Sequence, residues 1–389
     1  MQKEYDYIIA GAGCAGLSLL MRMMNDSFFD NKKILVVDAD TKNINDRTWC
    51  FWEKEPDIFE PIVHHQWNTL NFFSKDLSKE LAIYPYSYKM IEGLTFYNFV
   101  KNNALLHANI HWINEKVINI VNDSSNRTAG IQLSNRSIFA SKVFNSILFS
   151  PIQPQSHQYN FQQHFKGWVI NTPKPSFNPG IATFMDFRVS QKHGTTFMYL
   201  LPTSTTSALV EYTLFTKDLL PQAAYDIALK EYIHDFLEIN DYTIAHEEYG
   251  IIPMTNMKLP LVDENIVFIG IAGGQAKGSS GYAFKFIQKK TAQIINALKT
   301  GRTIPGKLSI NATKGLLYDS TLLHVLHHQK MPGDQIFSDI FKFNNAANVL
   351  SFLDNESSFF TDLQIMSSVP TSIFLPAALK ELLIKIYFH

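Results

Sequence analysis

The run Gly11-Ala-Gly-Cys-Ala-Gly16 follows a buried strand-like stretch, Tyr5–Ala10, and opens an apolar helical stretch, Leu17–Met24. Glycines at that spacing admit few backbones. Gly11 permits a tight turn, Gly13 lets the main chain touch a pyrophosphate, and Gly16 lets the helix pack on the strand. The helix N-terminus beyond Ala12 offers free N–H groups and a positive dipole end to phosphate. A second buried run, Lys33–Val37, predicts a strand parallel to the first, joined to it by the crossover helix. Asp38 stands at its end, where a carboxylate accepts a ribose hydroxyl; Asp40 lies two residues past the strand and is the weaker candidate.

A bound dinucleotide on a Rossmann-type α/β unit is the expectation from this context. A second cluster, Gly270, Gly273, Gly274, Gly278 and Gly281, selects the longer cofactor. It follows a strand-like run, Ile266–Ile271, and precedes a helix predicted from about 283 to 298. A second close backbone approach so far downstream suits FAD stretched across the domain better than NAD. Residues 45–100 lose the strand–helix rhythm and read as aromatic and irregular. Residues 110–149 read as short strands with a turn at 122–126, Phe197–Leu201 and Ala208–Phe215 as strands flanking a turn, and the chain beyond about 314 as helical. The expected organisation is therefore an α/β (overall α+β) chain. Segments 1–60, 95–150 and 260–312 form a discontinuous FAD-binding domain, 61–94 and 151–259 a β-sheet substrate domain, and 313–389 a helical C-terminal part.

With 34 basic and 35 acidic side chains the chain is nearly neutral, which argues against nucleic-acid backbone binding. Two cysteines, Cys14 and Cys50, are too few for a disulfide framework and predict a reducing compartment. No signal peptide is visible, and no apolar run approaches the roughly 20 residues of a membrane span. Phe, Tyr and Trp make up 13% of the residues, which fits either a Phe-rich core or a large apolar ligand tunnel. His324, His327 and His328 share helical spacing and read as a solvated helix face rather than a metal site; no metal is expected.

Further segments are more particular: Arg47-Thr-Trp-Cys-Phe-Trp-Glu53, Met185-Asp-Phe-Arg188, Leu209-Val-Glu-Tyr-Thr213, Gly250-Ile-Ile-Pro-Met254, and the run from Gly270 to Phe284 that carries Lys277, Ser279 and Tyr282. In this order, over nearly the whole chain, they resemble the lycopene cyclase family. The resemblance implies a flavin hydroxylase- or geranylgeranyl reductase-like architecture and a non-redox isomerisation (an intramolecular lyase reaction). In it the linear end groups of lycopene are protonated and closed to β-rings, giving γ-carotene and β-carotene. It also implies reduced FAD, NADPH or NADH as reductant, and cytoplasmic protein attached peripherally to the inner face of the cell membrane, where a long hydrocarbon resides. The rival functions are a flavin-dependent isoprenoid reductase or hydroxylase, and a carotenoid-binding flavoprotein without catalysis. Oligomeric state is not legible.

Protonating an unactivated double bond needs an acid shielded from water, and an apolar pocket keeps a carboxyl protonated. Glu211 is the leading candidate. Strand alternation puts it on one face with Leu209, Thr213 and Phe215; by residue type alone it reads rather as a solvent-facing edge residue, and the family resemblance reverses that by placing Glu211 on the acid of the family's acidic-Thr motif. Asp186 is a second functional acid or the ion-pair partner of Arg188. Arg47, just beyond the second strand, is a cofactor contact or a surface loop residue. Trp49, Phe51, Trp52, Trp168, Phe184, Phe187, Tyr199 and Tyr282 are candidates to face a carbocation, each equally a core residue. Two departures from the family pattern stand out: Tyr212 occupies a position often acidic, and Ile271 replaces an aspartate that holds the ribityl chain in related flavoproteins.

Overall fold

The computed structural model describes residues 3–151 and 153–388; the outer ends of the expected first and last segments, residues 1, 2 and 389, lie outside it, as does residue 152. β1 (Tyr5–Ala10), α1 (Cys14–Met24) and β2 (Ile34–Val37) form the expected crossover, with Tyr7 to Ala10 of β1 paired in parallel against Ile34 to Val37 of β2. Ile110–Ile113 continues the sheet beyond β2. On the other side, Ser137–Asn145 and then Ile266–Phe268 run parallel to β1. The hairpin Asn119–Asp123/Thr128–Gln132 and the short strand Val262–Asp263 complete an eight-stranded sheet among the described residues. Its central strands bury both faces, which is why they read as unbroken apolar runs. Ile8, Leu35 and Val37 enter one core, while Ile9, Ile34 and Val36 enter the other with Leu17 and Leu20 of α1.

The second large sheet has seven described strands in the order Thr243–Thr255, Asn160–Asn171, Ser207–Thr216, Thr195–Pro202, Ile181–Asp186, Thr69–Ser74 and Leu77–Ala82. All neighbours are antiparallel except Ile181–Asp186 on Thr69–Ser74. One face packs an aromatic core containing Trp52, Phe184 and Phe197. The other face packs the helix Gln222–Asp235 through Tyr225, Leu229 and Tyr232.

Three expectations are corrected. Residues 45–100 are ordered rather than irregular. β3 (Thr48–Glu53), Ser87–Glu92 and His65–Trp67 form a third sheet, followed by the helix Gly93–Ala104. Period-two polarity is missing there because β3 runs between two cores: Phe51 packs into the nucleotide-side core and Trp52 into the other. The strand expected to reach Ile271 ends at Phe268, because Gly270 (φ +64°) and Gly274 (φ +71°) take the left-handed conformation and bracket a single 3₁₀ turn, Gly270–Gly273. His324 is not on a solvated face. It is 1% exposed, and its Nδ1 lies 2.7 Å from the Tyr159 hydroxyl and 3.0 Å from Glu381 Oε1, so it ties the helix Ile310–His327 to the last helix, Thr371–Phe388. The C-terminal part is helical from Ile310 onward, as expected.

Candidate active site

A cavity of about 430 Å³ joins the two large sheets. Its lining includes Gly13, Cys14, Ala15 and Arg47, with Gly270, Ile271 and Gly281, and with Tyr199, Leu209, Glu211 and Glu248. The structure thus gathers Gly13, Arg47, Gly270, Gly281 and Glu211 around one space. The other expected residues support it from behind. Gly11 turns at φ +98°, and a Cβ on Gly16 would stand 2.0 Å from the Gly11 carbonyl. Gly273 packs on Phe268, where a Cβ would come 2.4 Å from the carbonyl oxygen. The Asp38 carboxylate accepts the Ala12 N–H at 2.6 Å and the Asp40 N–H at 2.8 Å, and so braces the loop. Arg47 holds Asp46 through Nε at 3.0 Å and Nη2 at 2.7 Å. Asp186 lies apart from the cavity lining. It is fully buried and accepts two hydrogen bonds from the Arg188 guanidinium (2.9 and 2.6 Å), one from the Arg188 backbone N–H (3.1 Å) and one from the Tyr232 hydroxyl (2.9 Å).

The space suits a dinucleotide on grounds of its own. A Cβ added to Gly13, the N-cap of α1, would meet nothing within 4 Å, so the bare backbone there faces open cavity. Gln163 Oε1 and Ser280 Oγ, both buried on the lining, have no hydrogen-bond partner. Buried polar atoms left unpaired are costly, so two of them on one cavity wall are acceptors and donors available to a ligand. They also offer polar contacts near Ile271, whose side chain cannot hydrogen-bond.

Where Glu211 and Glu248 line the cavity the chemistry is acidic. Glu211, on Ser207–Thr216, accepts a hydrogen bond from Thr213 Oγ1 at 2.5 Å. Desolvation, then the charge of Glu248, hold its carboxyl well above the usual range, against the opposing Thr213 bond. Glu248, on Thr243–Thr255, was not expected from the sequence. It is 5% exposed and accepts a 2.8 Å hydrogen bond from the Thr48 hydroxyl of β3. Burial raises its carboxyl too, with Thr48 and Arg47 opposing and Asp46 and Glu92 adding to it. No polarity pattern marks it in the sequence, because Glu247 and Glu248 are adjacent; in the strand Glu248 is buried while Tyr249 and Ile251 are exposed and Glu247 reaches Lys166 at 3.1 Å. Around the acids stand Tyr199, Tyr282 and Tyr88, whose hydroxyls link at 3.0 and 3.4 Å, and Cys50. Burial pushes the Cys50 thiol and the Tyr88 and Tyr199 phenols well up, so all three keep their protons.

The architecture is one used by flavin enzymes. A probable FAD-dependent monooxygenase from Pseudomonas aeruginosa superposes with a TM-score of 0.61 at 11% identity, covering 87% of this chain and 99% of that one. A geranylgeranyl bacteriochlorophyll reductase-like protein from Thermoplasma acidophilum gives 0.58 at 12% identity, covering 97% and 98%. These likenesses define the fold. The lycopene cyclase protein family matches residues 6–376, and the chain belongs to that family. A lycopene beta-cyclase of Pantoea ananas is 25% identical over 267 residues, which is 66% of this chain and 64% of the relative; one of Pseudescherichia vulneris is 24% identical over 261 residues, 64% and 62%. The matched region thus spans somewhat less than two thirds of each curated relative.

The two loop glycines should respond differently to alanine. Gly16→Ala must push the Gly11 carbonyl aside and should cost about 1–3 kcal/mol in urea unfolding of the cofactor-free protein. Gly13→Ala has room, so its unfolding midpoint should stay put, while FAD retention measured by equilibrium dialysis falls about tenfold or more.

Proposed function

We propose that this protein is a lycopene β-cyclase that protonates and closes the end groups of lycopene without net redox change. The observation that carries the reading is Glu211, a carboxyl on the lining of the same largely apolar cavity that the glycine loop borders, where desolvation favours its protonated form. The eight-stranded-sheet unit would hold FAD: Gly13 and the α1 N-terminus at the pyrophosphate, Asp38 behind the loop toward the ribose, and Arg47, Gly270, Gly281, Gln163 and Ser280 along the cofactor. Bound FAD, kept reduced by NADPH or NADH, supplies negative charge beside a cationic end group. The chain's own residues do the rest. Glu211 donates its proton to a terminal double bond, Thr213 orients that carboxyl, and Leu201, Leu209 and Phe165 exclude water. Tyr199 and Tyr282 present electron-rich rings to the developing positive charge. Asp186, already engaged by Arg188 and Tyr232, acts as a structural ion pair.

Substrate of this kind is dissolved in lipid. Among the described residues no helix is long and apolar enough to cross a membrane, but the last helix exposes Leu375, Leu379, Leu382, Leu383 and Ile386 along one stripe, beside exposed Phe360. We assign this stripe to shallow insertion in the membrane surface. Leu379→Glu with Leu383→Glu should abolish co-flotation with liposomes while leaving the unfolding free energy within about 1 kcal/mol of the parent's, as expected for exposed positions.

The function is tested anaerobically, with FAD, a chemical reductant and lycopene in liposomes, reading pigments by chromatography with mass detection. New products of unchanged mass and shorter-wavelength spectra support the cyclase, and their number separates one-ended from two-ended closure. A mass change moves the protein to the reductases or hydroxylases, and unaltered lycopene on flavin-bound protein overturns the reading.

A further inference from the structure

Gly167 separates two carboxylates. In the strand Asn160–Asn171 it lies directly opposite Glu211 on one neighbour and directly opposite Glu248 on the other. Residues opposed in antiparallel strands project to the same face, so both glutamates rise on the cavity side and Gly167 puts no side chain between them. A Cβ there would stand 2.9 Å from Leu209 Cδ1, 3.1 Å from Glu248 Cγ and 3.4 Å from its Oε1, because the Leu209 side chain and the Glu248 carboxyl both lean over the glycine. The strands bearing the two acids are two spacings apart, about 10 Å, so a proton that passes between the two carboxyls has to cross the Gly167 position, which carries no side chain of its own. Each acid is anchored through one oxygen: Glu248 Oε2 by Thr48 and Glu211 Oε1 by Thr213.

We infer that Glu248 is the proton acceptor of the reaction that Glu211 starts, and that Gly167 is the positioning residue that lets the pair share one proton. The inference rests on the cyclase reading. The O–H of Glu211 breaks and a C–H bond forms at the terminal alkene carbon, using that π pair. The next π pair forms the ring C–C bond. A ring C–H then breaks, its electron pair becomes the ring double bond, and the proton goes to Glu248 Oε1. Transfer from Glu248 to Glu211 across Gly167 restores the start, with no electron gained or lost. The carbon that gains a proton and the carbon that loses one are different atoms, which suits two carboxyls on two strands. It also answers the departure at Tyr212, since the second acid comes from a neighbouring strand instead of the adjacent position. The other titratable groups facing Glu211 are Cys50, Tyr199 and Tyr282; those facing Glu248 are Arg47, Asp46, Glu92 and Cys50.

The test is Glu248→Gln with lycopene under reducing, anaerobic conditions. We expect kcat to fall by about 10²-fold or more, with KM within about twofold. The alkaline limb of the pH profile should move to lower pH, because the negative neighbour that helps Glu211 keep its proton is gone. Gly167→Ala, with unchanged flavin content, should lower kcat in the same way, since its methyl enters the position between the two acids and displaces Leu209 Cδ1 and the Glu248 carboxyl. A kcat near wild type or an unmoved limb in Glu248→Gln overturns the inference. Should wild-type protein leave lycopene untouched, the cyclase reading falls by itself, and the pair is read in flavin-loaded protein from the infrared band of protonated carboxyls. A two-step titration in wild type that becomes a single, lower step in Glu248→Gln sustains the pair; one unmoved step in both proteins refutes it.

Discussion

Glu211→Gln should fold, keep its flavin and lose ring closure by about 10²- to 10⁴-fold, with no gain of activity at any pH. In the wild type, activity should hold through the pH range where ordinary glutamates are ionised and decline only as the raised Glu211 carboxyl gives up its proton. The same shift has a stability signature. A carboxyl whose folded-state affinity for its proton exceeds its unfolded-state affinity contributes stability that is fully present below the unfolded value and is lost as pH rises through the folded one. The wild type should therefore lose unfolding free energy above the ordinary carboxylate range, and Glu211→Gln should lose less over the same window. Urea titrations at a series of pH values measure the difference; parallel curves would mean that Glu211 is ionised in the folded protein and cannot be the acid.

Asp186→Asn should do the reverse, costing stability and sparing chemistry. Removing one member of a buried ion pair typically costs about 3–5 kcal/mol. Here about 2–3 kcal/mol is expected, because the Arg188 side chain is 38% exposed and recovers part of its hydration. Asp186 is fully buried, however, and its loss also weakens the hold on the Tyr232 hydroxyl, which pins the helix Gln222–Asp235 to the sheet. Urea unfolding reads the loss, and kcat per flavin-bound molecule should stay near wild type with the same pH profile. A displaced pH profile would return Asp186 to the proton chemistry.

What the sequence made legible was local. The glycine loop, α1, β1 and β2 are set by neighbours within about forty positions, whereas alternation grouped Glu211 with Leu209, Thr213 and Phe215 without saying whether that face is buried, and it stood out through the family resemblance. The family resemblance extended this to the fold. Glu248 was not legible, because its meaning depends on which strands flank Gly167, and that pairing joins segments roughly forty to eighty positions apart. His324 misled for a related reason. Helical spacing reports which residues share a face, but only the arrival of Tyr159 and Glu381 decides that the face is closed. β3 hid because both of its faces are covered, leaving no polar rhythm to read.

One strand contributes to both halves of the cavity. Gln163, which meets Gly281 on the cofactor side, and Gly167, between the carboxyls, are four residues apart on Asn160–Asn171 and share a face. A strand advances about 3.3 Å per residue, so the separation between cofactor end and proton end is about 13 Å, fixed by covalent geometry and not by loop closure. That strand is a ruler. Inserting one residue between the two marks would turn one of them out of the cavity, and inserting two would lengthen the interval by nearly 7 Å. A site of different span would therefore have to be made by changing its loops and walls, with the count from Gln163 to Gly167 kept.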